Sequence, residues 1–146
     1  MAPGIAGTFE LKSDFGGWQR EGKAFRGIAS VPYFSYPAGR QGKYVLKSIR
    51  GAQGKMSIEL LSQDKTKVFQ GVSFLMGGRC KNCAVKLVDD HGVIAGAPMY
   101  GHQRTLVRSE LRLDRETVGP VRLVLVDQDA QGVLVVDDIR LVFAEN

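Results

Sequence analysis

The chain has 146 residues, of which 44% are hydrophobic and 24% charged, so it is long enough for one domain with its own core and too apolar to be disordered. No apolar run approaches the roughly 20 residues that a membrane-spanning helix needs, and no signal peptide is visible at the N-terminus. The net charge of +5 is concentrated in residues 1–55, but the basic side chains are scattered and accompany no nucleic-acid motif, which argues against nucleic acid as a partner.

Short apolar runs separated by turn residues follow one another along the whole chain. Met56, Ile58 and Leu60 alternate with Ser57 and Glu59, which is the period-2 pattern of a strand with one buried face. Strands are predicted over 7–10, 24–28, 43–48, 56–60, 72–76, 84–88, 93–94, 106–113, 121–126 and 133–143. No segment has a convincing helical period. The pattern predicts one all-β domain over 1–146, with its core between about residues 7 and 143 and two antiparallel sheets packed face to face.

Turn-forming residues set the predicted strand boundaries. Gly77 and Gly78 are predicted to end one strand, and residues 96–101 are predicted to form a loop. Two prolines within 31–42 predict an aromatic-rich loop there rather than a central strand. The final two strands, 121–126 and 133–143, are predicted to pair with each other in the manner of a hairpin.

Two adjacent carboxylates, Asp137 and Asp138, interrupt the apolar run of the last predicted strand. On a regular strand they must point to opposite faces, so one of them faces inward unless the strand end is open to water. An inward carboxylate needs a cation or several hydrogen-bond donors, because an unpaired buried charge is very costly.

Cys80 and Cys83 form a Cys-X-X-Cys motif, for which three interpretations remain open. A disulfide would indicate an oxidising compartment, outside the cell or in a periplasm. A redox-active pair usually begins a helix in an α/β fold, which this sequence lacks. A zinc site would need two further ligands, and His91 and His102 do not have a zinc-finger spacing. Plain reduced thiols are the remaining alternative.

The order of several short motifs resembles the galactose-binding-domain-like jelly roll, and in particular the carbohydrate-binding modules attached to glycoside hydrolases. The motifs are Phe9-Glu10, Gly17-Trp18, Gly22 to Phe25, Val72 to Gly78, Val85 to Asp89, Tyr100-Gly101, Leu123 to Asp127 and Val135 to Leu141. The resemblance implies a non-catalytic β-sandwich, usually fused to or associated with an enzyme. It also implies a structural calcium ion near the first and last strands. Glu10 and Asp137 match the acidic ligands by position, and the neighbouring Asp138 is a third candidate ligand. Calcium is a hard cation that prefers such oxygen ligands. The alternative is that Glu10 and Asp138 are ordinary surface charges and Asp137 a turn-end acceptor.

The resemblance makes a glycan the expected ligand, bound by loop aromatics that stack on sugar rings and by basic or polar side chains that bind hydroxyl groups. The candidate ligand-binding residues are Trp18, Tyr33, Tyr36, Tyr100, His102 and Arg104. The alternative is that Trp18 packs into the core and that the aromatics of residues 31–42 fold their own loop onto the sheet.

No catalytic constellation is apparent. The chain has no Gly-X-Ser-X-Gly motif, and the adjacent pairs Asp89-Asp90 and Asp137-Asp138 diverge on a strand or suit a turn. We therefore expect a non-catalytic domain. The alternative functions are a structural or protein-interaction domain of a secreted or envelope-associated protein, and electrostatic binding of acidic glycans or nucleic acid through the basic half.

Overall fold

The computed structural model describes residues 5–7, 19–23, 25, 31–32, 44–48, 51–60, 67–99 and 101–145. The strands within them are β1 (Ile5–Gly7), β2 (Gln19–Gly22), β3 (Val31–Pro32), β4 (Tyr44–Lys47), β5 (Gly54–Leu60), β6 (Lys67–Arg79), β7 (Cys83–Asp89), β8 (Gly92–Met99), β9 (His102–Arg112), β10 (Val121–Asp127) and β11 (Val133–Glu145). The described residues contain no helix that is long and apolar enough to cross a membrane.

The strands form two sheets. The β11 sheet has the order β3-β4-β11-β6-β9, and β1 also pairs with β11. The β10 sheet has the order β2-β5-β10-β7-β8. All described strand pairs are antiparallel. The predicted all-β architecture of two antiparallel sheets is therefore confirmed.

The main core lies between the two sheets and follows from the period-2 pattern. Every second side chain of β7 and of β10 is buried, and Phe74 of β6 is fully buried opposite them. Burying an aliphatic or aromatic side chain of this size contributes about 1.5–3 kcal/mol relative to leaving it exposed. The core therefore holds both sheets in a fixed relation, and a separate, smaller apolar cluster contains Leu75, Leu106 and Val135.

The predicted pairing of the last two strands is wrong. β10 lies between β5 and β7, whereas β11 lies in the other sheet between β4 and β6. Residues 128–132 therefore cross from one sheet to the other. Both edges of β10 are already hydrogen-bonded, so β11 has no edge of β10 on which to pair.

Two strand ends predicted from turn-forming residues are wrong. β6 continues through Gly77 and Gly78 to Arg79, and β8 occupies most of the predicted loop 96–101 by running to Met99. β3 likewise lies within the predicted loop 31–42, and β2 lies where no strand was predicted. Hydrogen bonding to neighbouring strands outweighs local propensity in these segments, because β propensity depends strongly on context.

A bulge in β11 reverses which residues face the core. Leu134 and Val136 belong to the main core before the bulge, and Ile139 belongs to it afterwards, so the strict alternation breaks at Asp138. Asp138 adopts a φ of 47°, in the left-handed region, which accommodates the extra residue. Simple alternation along a regular strand therefore does not describe the two carboxylates.

Candidate functional site

The outward face of the β10 sheet carries a polar depression with a volume of about 250 Å³. Its lining residues come from three neighbouring strands, β2, β5 and β10, and are Gln19, Glu21, Lys55, Ser57, Arg122 and Val124. Antiparallel register brings them together, because Gln19 lies opposite Ser57 and Ser57 lies opposite Val124. We call this group the β10-face depression.

Arg122 lines the β10-face depression and is held by two neutral acceptors. Its Nη2 atom donates to Gln19 Oε1 at 3.0 Å and to Ser57 Oγ at 3.2 Å. Beside it, Lys55 Nζ lies 3.0 Å from Glu21 Oε2. The depression therefore combines a guanidinium, an ammonium, a carboxylate, an amide and a hydroxyl on hydrogen-bonded strands, which is a mixture of donors and acceptors suited to a polyol.

Sequence reasoning missed the β10-face depression. Its side chains belong to the outward positions of their strands, where polar residues are expected merely because that face meets water. β2 was also not predicted as a strand, so nothing indicated that Gln19 and Glu21 lie beside Lys55 and Ser57. Only the pairing of strands distant in sequence assembles the group.

Most of the predicted ligand-binding residues lie outside the described residues. The structure does not describe Trp18, Tyr33, Tyr36 or Tyr100, nor the predicted calcium ligand Glu10. His102 and Arg104 are on β9, but the structure does not describe their side chains. Since β9 belongs to the β11 sheet, these two positions and the β10-face depression are on different sheets.

The two carboxylates of β11 are both buried, and Asp138 is engaged by arginines. Asp138 is 3% exposed, and its carboxylate bonds to Arg108 Nη2 and lies 3.0 Å from Arg140 Nη2. The alternative that Asp138 is an ordinary surface charge is wrong. Two guanidiniums already balance its charge, which leaves it little affinity for a calcium ion.

Asp137 is fully buried and lies opposite Leu75 in the register of β11 and β6. The first described strand approaches this part of β11, because Gly7 is opposite Ile139. The alternative that Asp137 is a turn-end acceptor is wrong, since it lies in the middle of the 13-residue strand β11. A buried carboxylate next to the first strand is compatible with the predicted calcium site.

Asp89 has a structural environment that accounts for its charge. Arg115 donates to both oxygens of its carboxylate at 2.7 and 2.9 Å, and the backbone N–H groups of Val118 and His91 donate as well. The arginine bonds, followed by the Val118 bond, hold the pKa of Asp89 well below its usual range against the opposing effect of burial. Asp89 therefore fastens the loop 113–120 and has no oxygen left for general acid–base chemistry.

Cys80 and Cys83 form a disulfide at the turn between β6 and β7, with their Cα atoms 5.8 Å apart. Both residues are buried, and Asp127 is buried beside them. Ser48 Oγ donates to Asp127 Oδ2 at 2.6 Å and accepts from the N–H of Leu134 at 2.8 Å. Ser48 and Asp127 thus connect the two sheets at this end of the sandwich.

Burial raises the pKa of Asp127, against the opposing hydrogen bonds from Ser48 and from the Asp129 N–H. A carboxyl group whose pKa is higher in the folded state favours folding at low pH, and this contribution is lost as pH rises through the folded-state pKa. Asp127→Asn removes it. We therefore expect the free energy of unfolding of Asp127→Asn, relative to that of the wild type, to be lowest at about pH 3, below the unfolded pKa of an aspartate. Relative to the wild type, the stability of the variant should rise towards pH 7.

Urea unfolding of the wild type and of Asp127→Asn from pH 3 to pH 7 measures this difference. The exposed carboxylate variant Asp114→Asn controls for the loss of one negative charge. A stability difference that does not change with pH, or that grows towards pH 7, would contradict the prediction.

No protein-family model and no curated protein matches the chain. Solved structures do match it, at low sequence identity. TmCBM61, solved in complex with beta-1,4-galactotriose, is 19% identical with a TM-score of 0.61, and the match covers 89% of this chain and 90% of that one. The xylan-binding domain CBM22-1 from Paenibacillus barcinonensis is 17% identical with a TM-score of 0.57, covering 100% and 99%.

A catalytic protein has the same fold. The Stig cyclase Fisc from Fischerella sp. TAU is 14% identical with a TM-score of 0.62, and the match covers 99% of both chains. The jelly-roll fold expected from the resemblance to carbohydrate-binding modules is confirmed by these matches. Identities this low establish the fold alone, so function has to be argued from the site.

Proposed function

We propose that the chain is a non-catalytic carbohydrate-binding domain whose ligand lies in the β10-face depression. The observation that carries the proposal is the pair of hydrogen bonds by which Gln19 and Ser57 fix Arg122 in a polar depression on three paired strands. The fold is shared with domains solved with galactotriose or described as xylan-binding, which supports a glycan as the ligand class.

The arrangement suits sugar hydroxyl groups because its donors and acceptors are already oriented. Arg122 and Lys55 offer N–H donors, while Glu21 and Gln19 offer oxygen acceptors, and all four are attached to strands rather than to loops. Oriented groups on a rigid sheet lose little conformational entropy when a ligand binds. The aromatic side chains Trp18, Tyr33, Tyr36 and Tyr100, together with His102 and Arg104, remain predictions for further sugar contacts.

Arg122→Ala should weaken glycan binding by about tenfold or more, since a hydrogen bond to a charged group contributes about 1.5–3 kcal/mol. The screen uses a glycan array, with calcium and with chelator, followed by titration of the best sugar. Arg112→Ala is the matched control, because Arg112 is an exposed arginine on β9 of the other sheet. Equal affinity of the two variants would place the glycan away from the β10-face depression.

A blank array in both conditions would favour the alternative of a structural or protein-interaction domain.

Incubation of the domain with any sugar that it binds should leave that sugar chemically unchanged. A new product would overturn the non-catalytic part of the proposal, and the cyclase that shares this fold makes that control necessary. Steep loss of binding with added salt would favour electrostatic recognition of an acidic glycan.

We further propose a structural calcium ion bound by Asp137 and Glu10, as the family resemblance implies. The support is that Asp137 is a fully buried carboxylate and that β1, which precedes Glu10, pairs with β11. Asp138 is left out of the ligand set because of Arg108 and Arg140. Calcium would neutralise the buried charge, and no step of glycan recognition depends on it.

Chelation should lower the unfolding temperature of the wild type, since a bound ion at a hundred times its Kd stabilises the folded state by about 2.7 kcal/mol. Asp137→Asn should lose this response to chelator, and Asp114→Asn should keep it. Thermal unfolding with and without added calcium measures both effects. An unfolding temperature that calcium does not change would remove calcium from the proposal.

We also propose that the domain works outside the cell or in a periplasm, fused to or associated with a glycan-degrading enzyme or an envelope protein. The disulfide between Cys80 and Cys83 supports an oxidising compartment. Fractionation of the source cells tests the location, and recovery of the protein only from a reducing compartment would contradict it.

A further inference from the structure

The turn between β6 and β7 holds a cluster that glycan binding does not use. The sulfurs of Cys80 and Cys83 and a carboxylate oxygen of Asp127 all lie within 4.8 Å of one another. All three residues are at most 2% exposed. We propose that, when the disulfide is reduced, these three side chains bind a zinc-like divalent cation, and that oxidation of the two cysteines releases it.

The backbone already has the spacing that such a site needs. Cys83 lies opposite Asp127 in the register of β7 and β10, so these two ligands are fixed by strand pairing. The Cα atoms of Cys80 and Cys83 are 5.8 Å apart. A tetrahedral ion with zinc–sulfur bonds of about 2.3 Å holds two sulfurs roughly 3.8 Å apart, so side-chain rotation after reduction suffices.

Asp127 is oriented as a ligand by groups around it. Ser48 Oγ donates to one carboxylate oxygen at 2.6 Å, and the Asp129 N–H donates to the other at 3.0 Å. Such outer hydrogen bonds hold a ligating carboxylate in place and affect metal affinity. A redox-active pair that exchanges disulfides with cysteines of partner proteins gains no comparable support, because the burial of both cysteines keeps a protein thiol from reaching them.

The chemistry of the ligand set selects the ion. Two thiolates with one carboxylate suit zinc, and three protein ligands leave one tetrahedral position for a further donor. Because three negative charges cannot remain together in a buried site, the ion and the deprotonated ligands should appear together. The sequence alone did not identify Asp127 as the third ligand, since it is far from the motif along the chain.

The reduction consumes two small-molecule thiols. Two thiols and the Cys80–Cys83 disulfide give two cysteine thiols and one small-molecule disulfide. Binding of M²⁺ then forms two metal–sulfur bonds and releases the two thiol protons. In reverse, a disulfide oxidant takes two electrons from the two thiolates, forms the Cys80–Cys83 bond, becomes two thiols by taking up two protons, and frees M²⁺.

The test titrates Co²⁺, as a spectroscopic substitute for zinc, into anaerobic chain that has been reduced and stripped of metals. We expect thiolate-to-cobalt charge-transfer absorption that saturates at one ion per chain and disappears when Zn²⁺ is added. Oxidised chain should show none of this absorption. Cys80→Ser should reduce it severely, and Asp127→Asn should lower the affinity at least tenfold, whereas Asp114→Asn should match the wild type.

If the reduced, metal-free chain unfolds, the experiment starts from the unfolded chain and follows its refolding by circular dichroism. Zn²⁺ should then restore the β-sheet spectrum in the wild type. A reduced chain that binds no Co²⁺ and does not refold with Zn²⁺ would overturn the site. Equal affinity in the wild type and in Asp127→Asn would also overturn it as a three-ligand site.

Discussion

Gly78→Ala is expected to lower the free energy of unfolding by about 3–5 kcal/mol, through backbone strain and a steric clash together. Gly78 has a φ of 116°, in a region that residues with a Cβ rarely adopt. A Cβ at this position would lie 2.3 Å from the carbonyl oxygen of Val133, which is backbone and has little freedom to move. The displacement would disturb the pairing of Gly78 with Leu134 and, through Leu134, the Ser48–Asp127 connection between the sheets.

Gly92→Ala separates the two causes. Gly92 has the same φ of 116°, and nothing lies within 4 Å of the Cβ that alanine would add. It should therefore cost only the conformational part, about 1–2 kcal/mol. Chemical denaturation of both variants measures the difference, which reports the clash with Val133. Equal losses would show that β11 moves away freely and that this part of the sandwich is not closely packed.

Asp138→Ala is expected to destabilise the fold by about 2–4 kcal/mol. Alanine has to adopt the left-handed φ of 47° without the local hydrogen bonding that makes it tolerable for aspartate. The variant also removes the acceptor for Arg108 and Arg140. Because these arginines are 35% and 56% exposed, water solvates them in part, and the loss stays below that of a fully buried pair.

Two further substitutions at Asp138 distinguish the bulge from the ion pairs. Asp138→Gly frees the backbone and loses both arginine contacts, so it should be less destabilised than Asp138→Ala by about 1 kcal/mol. Asp138→Asn keeps an oxygen acceptor and tolerates the left-handed region, so it should be the mildest of the three. Urea unfolding gives the order. If glycine were worse than alanine, the strain assigned to this position would be absent.

The disulfide and the buried carboxylates show how far local sequence reasoning extends. The Cys80-X-X-Cys83 spacing allowed a disulfide, but it left reduced thiols and metal binding open, and the structure pairs the two sulfurs. The adjacent Asp137 and Asp138 indicated a buried charge in need of partners. Arg108, which balances Asp138, comes from another strand, and no local pattern connects it to Asp138.

The sequence by itself determined the all-β class and most of the core faces. β5, β7 and β10 follow directly from alternation, because side-chain direction on a strand is a local property with a period of two. The resemblance in motif order added the jelly-roll fold, which the solved structures confirm.

Only the tertiary structure decided which strands are neighbours and, with them, the candidate sites. It placed β10 and β11 in different sheets, and the bulge at Asp138 changed which face of β11 points into the core. It also brought Gln19 next to Arg122 and Cys83 next to Asp127. Each of these contacts joins residues that are distant along the chain or depends on a register shift. Their free energy comes from the packing of the whole sandwich, so no short stretch of sequence encodes them.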